Sequence, residues 1–423
     1  MDSRERVITA LNHEEPDRVP VDLGASPVTG MHVSTVYALR QALKLDPPGT
    51  PVKVIEPYQM LGEIAPDLIE ALGVDVVGLS SKFTMFGFEN EGWKPWRLFD
   101  GTPVLVPRKF NTRPDEEGGI LMYPQGDTSV PPCAKMPKGG FYFDATDRQA
   151  PIDWKKLDIE DNVEEFVKIS SEELEFLSAE AERLYQTGKA VFANFGGTSF
   201  GDIALVPGLQ LKHPRGVRGV KEWYMCHALR PDYIYAVFER QCEVALENLE
   251  RIRKAVGNRV TTVFVSGTDF GTQRGPIISK ATYRKLYFPF HKRVNEWVHE
   301  HTSWKTFIHS CGSVEPLIGE FIEAGFDVLN PVQTSAANME PKRLKEKYGD
   351  KIAFWGGGVD TQRTLPFGTP EQVREEVRER IGIFAPGGGF VFNTIHNVQP
   401  RVPIANVLAL YDAVKKFGRY PVR

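Results

Sequence analysis

The segment His309-Ser310-Cys311 places an imidazole and a thiol at positions i and i+2 of a predicted β-strand end. Residues i and i+2 of a strand point to the same side, so both side chains can face one ion. Histidine nitrogen and cysteine thiolate are preferred Zn²⁺ ligands, and a catalytic zinc site has a third protein ligand and an open position. An H-x-C pair alone is weak evidence, because Cys311 could equally be a small core residue and His309 could hydrogen-bond a neighbour. The pattern therefore indicates a candidate zinc site that needs further support.

A third ligand is expected from the end of the last predicted strand. His396 lies there, and it is the one other imidazole or thiol that we place at a strand end. Closure of a barrel would bring this strand round to the same rim as His309 and Cys311. We predict His396 as the third ligand, and this assignment is the open part of the metal prediction.

The elements that must position these residues are short apolar, β-branched runs, most of them followed by segments with helical periodicity. Alternation of strands and helices predicts a parallel sheet, and eight such units predict a single closed (β/α)8 TIM-type barrel, with an open doubly wound sheet as the alternative. The predicted strands are Val19–Leu23, Val74–Leu79, Ala190–Phe195, Thr261–Val265, Lys305–His309, Asp327–Asn330, Ile352–Gly356 and Phe390–Thr394. The predicted helices are Glu164–Gln186, Pro231–Val256, Ser279–Glu300, Val314–Ala324, Pro341–Tyr348, Pro370–Phe384 and Pro403–Phe417.

Polar side chains and small residues follow the predicted strands at one end, where barrel enzymes build their active sites. We assign Asp269 and Gln273 to catalysis, with a loop-capping role as the alternative for both. The residues assigned to substrate binding are Asp22, Asn194, Asn330, Gln333 and Asp360. Gly196 and Gly197 follow the third strand, and small residues of this kind let a ligand approach the backbone.

A long segment after the second strand, Phe83–Asp144, interrupts the alternation. It lacks a long helical period, is rich in aromatic residues, and contains short runs typical of antiparallel strands. Because the segment follows a barrel strand, it should emerge at the active-site face. We weigh a lid over the active site against a purely structural flap.

Composition excludes several classes of protein. The chain has 423 residues, of which 41% are hydrophobic and 25% charged, and its net charge is −4, so neither disorder nor a dedicated nucleic-acid binder is expected. Four cysteines without a C-x-x-C pair predict no disulfide framework and favour the cytoplasm. We expect no secretory signal and no membrane-spanning segment.

Several blocks of the sequence, taken in order, resemble the uroporphyrinogen decarboxylase superfamily over nearly the whole chain, residues 1–423, apart from much of the segment 83–144. These blocks are SRERVITALNHEEPDRVPVDLG, GTDFGTQRGPIIS, HSCGSVEPLIGEFIEAGFDVLNPVQ, KRLKEKYGDKIAFWGGGVDTQ and FNTIHNVQP. The resemblance implies one (β/α)8 barrel, in agreement with the strand pattern.

The resemblance leads to two branches of that superfamily. The decarboxylases carry an arginine-rich R-x-A-G-R-Y stretch near the N-terminus, whereas the matching DLGASPVTGMHVST has no arginine, and Arg40 is the first arginine after it. The zinc- and corrinoid-dependent methyltransferases carry an H-x-C pair and a later cysteine as zinc ligands. His309 and Cys311 match the pair, whereas His396 takes the place of the later cysteine. This departure leaves the third ligand in doubt, although histidine is a competent substitute.

The resemblance therefore implies a zinc-dependent methyltransferase of the cobalamin (corrinoid) type. It would move a methyl group between a small methylated compound, such as a methoxylated aromatic in an O-demethylation, and a separate corrinoid protein, since the chain has no D-x-H-x-x-G corrinoid-binding signature. The alternatives are a uroporphyrinogen-type decarboxylase that needs no metal, and a catalytically inactive corrinoid- or metabolite-binding module. The oligomeric state, including a homodimer, stays open.

Overall fold

Parallel strands run through the middle of the molecule. The structure, a computed structural model, describes residues 1–195 and 198–422. Its strands are β1 (Val52–Glu56), β2 (Leu61–Gly62), β3 (Val76–Ser80), β4 (Lys94–Arg97), β5 (Pro103–Val106), β6 (Thr112–Pro114), β7 (Ile120–Met122), β8 (Ala134–Met136), β9 (Asp144–Ala145), β10 (Ala190–Asn194), β11 (Thr262–Ser266), β12 (Lys305–His309), β13 (Val328–Asn330), β14 (Ala353–Trp355) and β15 (Phe390–Val391).

Helices follow most of the barrel strands. They are α1 (Ser3–Leu11), α2 (Val33–Ala42), α3 (Pro66–Leu72), α4 (Ser171–Tyr185), α5 (Val220–Leu229), α6 (Pro231–Val256), α7 (Lys280–Leu286), α8 (Phe288–His301), α9 (Glu315–Glu323), α10 (Pro341–Tyr348), α11 (Thr364–Phe367), α12 (Pro370–Phe384) and α13 (Ile404–Phe417). In the part of the chain that the structure describes, no helix is both long and apolar enough to cross a membrane.

The central sheet has seven parallel strands in the order β3, β10, β11, β12, β13, β14, β15. The predicted first strand, Val19–Leu23, is extended and closes the gap between β15 and β3. Its amides and carbonyls bond in both directions: Asp22 N donates to Phe392 O at 2.9 Å, and Asp75 N donates to Val21 O at 2.8 Å. This closure confirms the predicted α/β barrel.

The first barrel segment is shorter than predicted, and it forms an isolated parallel bridge from Val21 to Phe392 rather than a regular strand. Pro20 lacks an amide hydrogen, so it cannot donate to a neighbouring strand. Gly24 then turns the chain with φ +82°, where a Cβ atom would meet Ile64 at 2.5 Å. The hydrogen-bonded pairing of this segment therefore ends early, and the upper part of its contact with the neighbouring strands lacks the hydrogen bonds of a sheet.

Two predicted helices differ from the observed ones. Helix α4 begins at Ser171 and not at Glu164, because the Ser170 side chain accepts the amide of Glu173 and caps the helix there. The predicted helix Ser279–Glu300 is divided at Tyr287 into α7 and α8, and a proline occupies the first turn of α8.

Aromatic side chains fill the barrel below its rim. Phe192, Phe307 and Trp355 lie edge to face, with ring centroids 4.8 Å apart for the first pair and 5.6 Å apart for the second. All three are almost fully buried. They form a solid floor, so a ligand can only occupy the space above it, at the C-terminal ends of the strands.

The predicted β-rich insertion after the second barrel strand is present. Strands β6 to β9 form a four-stranded antiparallel sheet, while β4 and β5 pair with β1 and β2 in a second sheet. The second sheet thus includes residues 52–62, which precede the second barrel strand. A strand-and-turn segment this short carries too little periodicity to be recognised as a partner of a distant insertion.

Candidate functional site

The ligand atoms of His309, Cys311 and His396 all lie within 4.8 Å of one another. His309 is the last residue of β12, and Cys311 Sγ is 3.4 Å from His309 Nε2. His396 follows β15, and its ring centroid is 5.4 Å from that of His309. The structure therefore brings together the three residues that the sequence nominated as metal ligands.

The orientation of His309 is set by the adjacent strand. Asn330, at the end of β13, donates its Nδ2 hydrogen to Trp355 O at 2.8 Å, which leaves its Oδ1 as an acceptor. His309 Nδ1 lies 2.6 Å from that oxygen and must therefore be the protonated nitrogen. The lone pair of His309 then resides on Nε2, the atom that faces Cys311, as metal ligation requires.

Asp269 completes the polar side of this cluster. One carboxylate oxygen, Oδ1, accepts the Cys311 amide at 2.7 Å and lies 3.9 Å from His309 Nε2. Burial raises the pKa of Asp269 above its usual value. The carboxylate fixes the backbone of Cys311 and adds a negative charge next to the thiol.

Burial favours the neutral form of each of the three candidate ligands. It lowers the pKa of His309 to about 4, and it lowers that of His396 to about 4 with a further contribution from the proximity of His309. The pKa of the Cys311 thiol is raised well above its ordinary value, first by burial and then by the charge of Asp269. Neutral imidazoles with free lone pairs suit a cation, and a cation would stabilise the thiolate.

Of the other predicted site residues, those on neighbouring strands lie close to the cluster. Gln333 Oε1 accepts the amide of Gly312 at 2.6 Å, which connects the loop after β13 to the loop that carries Cys311. Asn194 ends β10 and lines the same cleft as Asp269. Gly196 and Gly197 lie outside the described residues.

Three predicted residues are placed elsewhere. Asp22 is buried at the level of the aromatic floor, where it accepts the Trp355 indole N–H at 2.9 Å, and burial raises its pKa to about 6. Asp360 accepts the amides of Gln362 at 2.7 Å and Arg363 at 3.1 Å, which is the capping role of a turn residue. The side chain of Gln273 is exposed and does not line the cleft.

A cleft with a volume of about 2140 Å³ opens from His309, His396 and Asp269 towards the insertion. Its lining includes carboxylates that the sequence did not single out for catalysis or binding, among them Asp202 and Asp144. Burial, together with the charge of Asp269, raises the pKa of Asp202 to about 7. Asp202 lies several residues after the third barrel strand. It was not predicted as a site residue because of this distance from the strand end.

The remaining cysteines stand apart from the cluster. Cys133, Cys226 and Cys242 are buried, and burial raises the pKa of all three thiols. None of them joins a group of candidate metal ligands among the described residues. All three pack in the hydrophobic core.

Comparison with known proteins finds a family model that matches part of the chain. Residues 214–417, which contain β11 to β15 and the entire His-Cys-His cluster, match the family model described as uroporphyrinogen decarboxylase (URO-D). The matched segment is similar to that family over somewhat less than half of the chain. It supplies the part of the rim with Asp269, His309 and His396, whereas the insertion precedes it.

This chain is similar to curated relatives over limited segments. It is 36% identical over 74 residues to a uroporphyrinogen decarboxylase from Pseudoalteromonas translucida, which covers 18% of this chain and 20% of the relative. A uroporphyrinogen decarboxylase from Anaeromyxobacter dehalogenans is 23% identical over 193 residues, 44% of this chain and 49% of the relative. The chain thus spans about a fifth of the length of the first relative and about half of the second.

Among solved structures, a methyltransferase from Methanosarcina mazei is similar over 99% of both chains, with a TM-score of 0.55 and 14% sequence identity. At this identity the similarity concerns the fold, and it extends over nearly the whole chain, including the insertion.

Proposed function

We propose that this protein is a zinc-dependent methyltransferase of the uroporphyrinogen decarboxylase (URO-D) superfamily. In this proposal it moves a methyl group between a small methylated compound, in particular a methoxylated aromatic, and a separate corrinoid protein in the cytoplasm. The observation that carries the proposal is the convergence of His309, Cys311 and His396, whose ligand atoms lie within 4.8 Å of one another at the rim of the barrel.

The donor set fits zinc. Two imidazole nitrogens and one thiolate sulfur are typical ligands of Zn²⁺, and three protein ligands leave a position for a substrate. The zinc would supply Lewis acidity, which polarises an ether oxygen or lowers the pKa of an accepting thiol. His309, Cys311 and His396 would hold it.

The protein's own side chains would hold the metal ligands in place and contact the substrate. Asn330 keeps the His309 lone pair on Nε2, and Asp269 holds the Cys311 backbone through its amide. Gln333 fixes the loop at Gly312, and Asn194 offers a polar contact in the cleft. We propose Asp269 as the group next to the reacting atoms and Asn194 as a substrate contact. Gln273, Asp22 and Asp360 do not enter this proposal, given where they lie.

The corrinoid partner is proposed on the basis of the sequence resemblance and of the open cleft. The segment Phe83–Asp144 contributes both of its ends to the lining of that cleft, which supports a role as a lid. The barrel and the lid together would form one functional unit, residues 1–423.

A decarboxylase is the second candidate, because the curated relatives carry that name. Its substrate has eight carboxylates and requires available cationic groups. The two arginines that flank the matching N-terminal region are both ion-paired: Arg18 Nη1 lies 2.7 Å from Asp75 Oδ2, and Arg40 Nη1 lies 2.8 Å from Asp67 Oδ1 with further bonds to Asp46. This pairing counts against the decarboxylase.

The decisive experiment combines metal analysis with a methyl-transfer assay. The purified protein should contain about one zinc per chain and should methylate a Co(I) corrinoid protein from at least one compound in a panel of methoxylated aromatics. Cys311→Ala should lose both properties. Full turnover of uroporphyrinogen by a zinc-free protein would instead establish the decarboxylase, and corrinoid-protein binding without turnover would indicate an inactive binding module.

A further inference from the structure

Two glycines face each other where the loop after β11 crosses the loop after β12. A Cβ atom built onto Gly271 would lie 2.6 Å from Cys311 O and 2.8 Å from Ser313 N. A Cβ atom built onto Gly312 would lie 2.5 Å from the carbonyl carbon of Gly271 and 2.6 Å from its oxygen. Non-bonded heavy atoms in ordinary contact stay about 3.5 Å apart. The two loops therefore pack backbone against backbone, and neither position has room for a side chain.

Three hydrogen bonds join the two loops around this crossing. They run from Ser313 N to Thr272 O at 2.8 Å, from Phe270 N to Ser310 Oγ at 2.9 Å, and from Cys311 N to Asp269 Oδ1 at 2.7 Å. Phe270 and Ser310 are almost fully buried, so water does not replace the bond between them. A displacement of the Cys311 peptide would stretch these bonds.

The crossing lies next to the candidate metal ligands. Cys311 carries the carbonyl that rests on Gly271, and its Sγ lies 3.4 Å from His309 Nε2. A methyl group on Gly271 would force this carbonyl away by roughly 0.5 to 1 Å. Ligand distances in a metal site must lie within about 0.2 Å of ideal. Even half of the displacement would exceed that tolerance.

The two glycines are needed for different reasons. Gly312 has φ +88°, a left-handed conformation that disfavours side chains, and it also lacks space. Gly271 does not adopt a positive φ, so only contact with the neighbouring loop excludes a side chain there. A substitution at Gly271 therefore tests the crossing without the added strain of an unfavourable φ.

We propose that the crossing of Gly271 and Gly312 positions the Cys311 thiol for metal binding. Gly271 is a positioning residue in this proposal: it leaves room for the Cys311 carbonyl and thereby sets where the sulfur lies relative to His309. This inference rests on the proposed function for the identity of the metal, and on the loop crossing alone for the position of the thiol.

The first test compares two alanine variants in the same loop. Gly271→Ala places a methyl group in the crossing. Gly275→Ala adds the same group where, among the described residues beyond its two chain neighbours, no heavy atom lies within 4 Å of the Cβ position. In a chelator competition, Gly271→Ala should bind zinc roughly 10- to 100-fold more weakly than wild type, as when a group that orients metal ligands is lost. Gly275→Ala should bind zinc like wild type. Equal affinities in all three proteins would overturn the proposal.

Cobalt substitution separates a displaced sulfur from a general loss of stability. With Co²⁺ in place of zinc, the thiolate-to-metal charge-transfer absorption per bound ion should fall in Gly271→Ala and stay at the wild-type level in Gly275→Ala. An unchanged absorption in Gly271→Ala would contradict the positioning role.

A second variant covers the case in which Gly271→Ala does not fold, as judged by circular dichroism. Ser310→Ala removes the hydroxyl that accepts the Phe270 amide and adds no bulk, so it weakens the crossing without a clash. It should lower zinc affinity roughly three- to tenfold. Wild-type affinity in Ser310→Ala would then reject the proposal.

Failure of this inference is distinguishable from failure of the proposed function. In metal-free crystals of Gly271→Ala, the distance from Cys311 Sγ to His309 Nε2, 3.4 Å in this structure, should change by at least about 0.5 Å, and in Gly275→Ala it should not. Such a change in a protein that binds no zinc would keep the positioning role and reject the zinc-dependent function. Zinc binding and methyl transfer with an unaltered distance and affinity in Gly271→Ala would keep the function and reject the positioning role.

Discussion

The rim formed by β12 and β13 and the insertion-facing wall of the cleft use polar residues in opposite ways. On the rim, each side chain has a fixed partner, as when Asn330 orients His309 and Asp269 holds Cys311. On the wall, carboxylates such as Glu173 and Asp144 contribute charge, and part of that charge lacks a partner. Fixed geometry suits metal ligation and chemistry, whereas unpaired charge suits selection among ligands.

Removal of a candidate metal ligand should have the largest effect on the rim. We expect Cys311→Ala to reduce bound zinc from about one per chain to background and to abolish methyl transfer, because two imidazoles alone bind zinc far more weakly. Zinc content is measured by elemental analysis after gel filtration.

Cys242→Ala is the matched control for this prediction, since it removes a buried thiol that is not part of the cluster. It should keep its zinc. Equal zinc content in Cys311→Ala and wild type would show that the cluster is not the metal site.

Loss of the partner that orients His309 should have the next largest effect. Asn330→Ala leaves the three ligands in place but removes the acceptor for Nδ1–H, so zinc affinity should fall roughly 10- to 100-fold. A chelator competition titration measures this change. Asn330→Asp keeps an acceptor at the same position and should recover most of the affinity; if both variants bind zinc like wild type, Asn330 has no positioning role.

Most strands and helices after Ala190 could be predicted nearly to the residue because each is continuous and has one clear period. The exceptions are α5 and α11, which were not predicted, and the predicted helix Ser279–Glu300, which is divided into α7 and α8. Helices α6, α10 and α12 begin and end where the sequence indicated, since a proline at the first turn marks each start. The pairing of β1 with β5 could not be predicted, because it joins segments separated by the whole second barrel strand. Long-range pairing leaves no local signal in a single sequence.

The candidate site also contains residues that could be predicted from the sequence and residues that could not. His309 and Cys311 were accessible from their spacing, and His396 from its place after the last strand. The exposed position of Gln273 was not accessible, because a residue a few positions beyond a strand can turn either way. The cleft-lining carboxylic residues Glu56, Asp144 and Glu173 were missed because they come from β1, β9 and α4, which the sequence does not relate to one another.

The buried carboxyl group of Glu56 should also make the free energy of unfolding depend on pH. Burial raises the pKa of Glu56 from 4.5 to about 7. The folded state therefore favours the protonated form, and this contribution is complete below about pH 4.5 and is lost as the pH rises through about 7. Relative to Glu56→Gln, the wild type should lose about 2 kcal/mol of unfolding free energy between pH 5 and pH 8, as urea denaturation would measure. A constant difference between the two proteins at both pH values would contradict this, and Glu239→Gln serves as the exposed control.

The smallest effect should come from the lid. Tyr142 is 45% exposed and lines the cleft, whereas the turn between β6 and β7 around Glu116 does not line it. If the insertion covers bound substrate, Tyr142→Ala should raise KM about threefold and leave kcat almost unchanged, because only contacts shared by the ground and transition states are lost. Glu116→Ala should leave KM unaltered. Steady-state kinetics with a methyl donor separates the two, and an unchanged KM in Tyr142→Ala would assign the insertion a structural role alone.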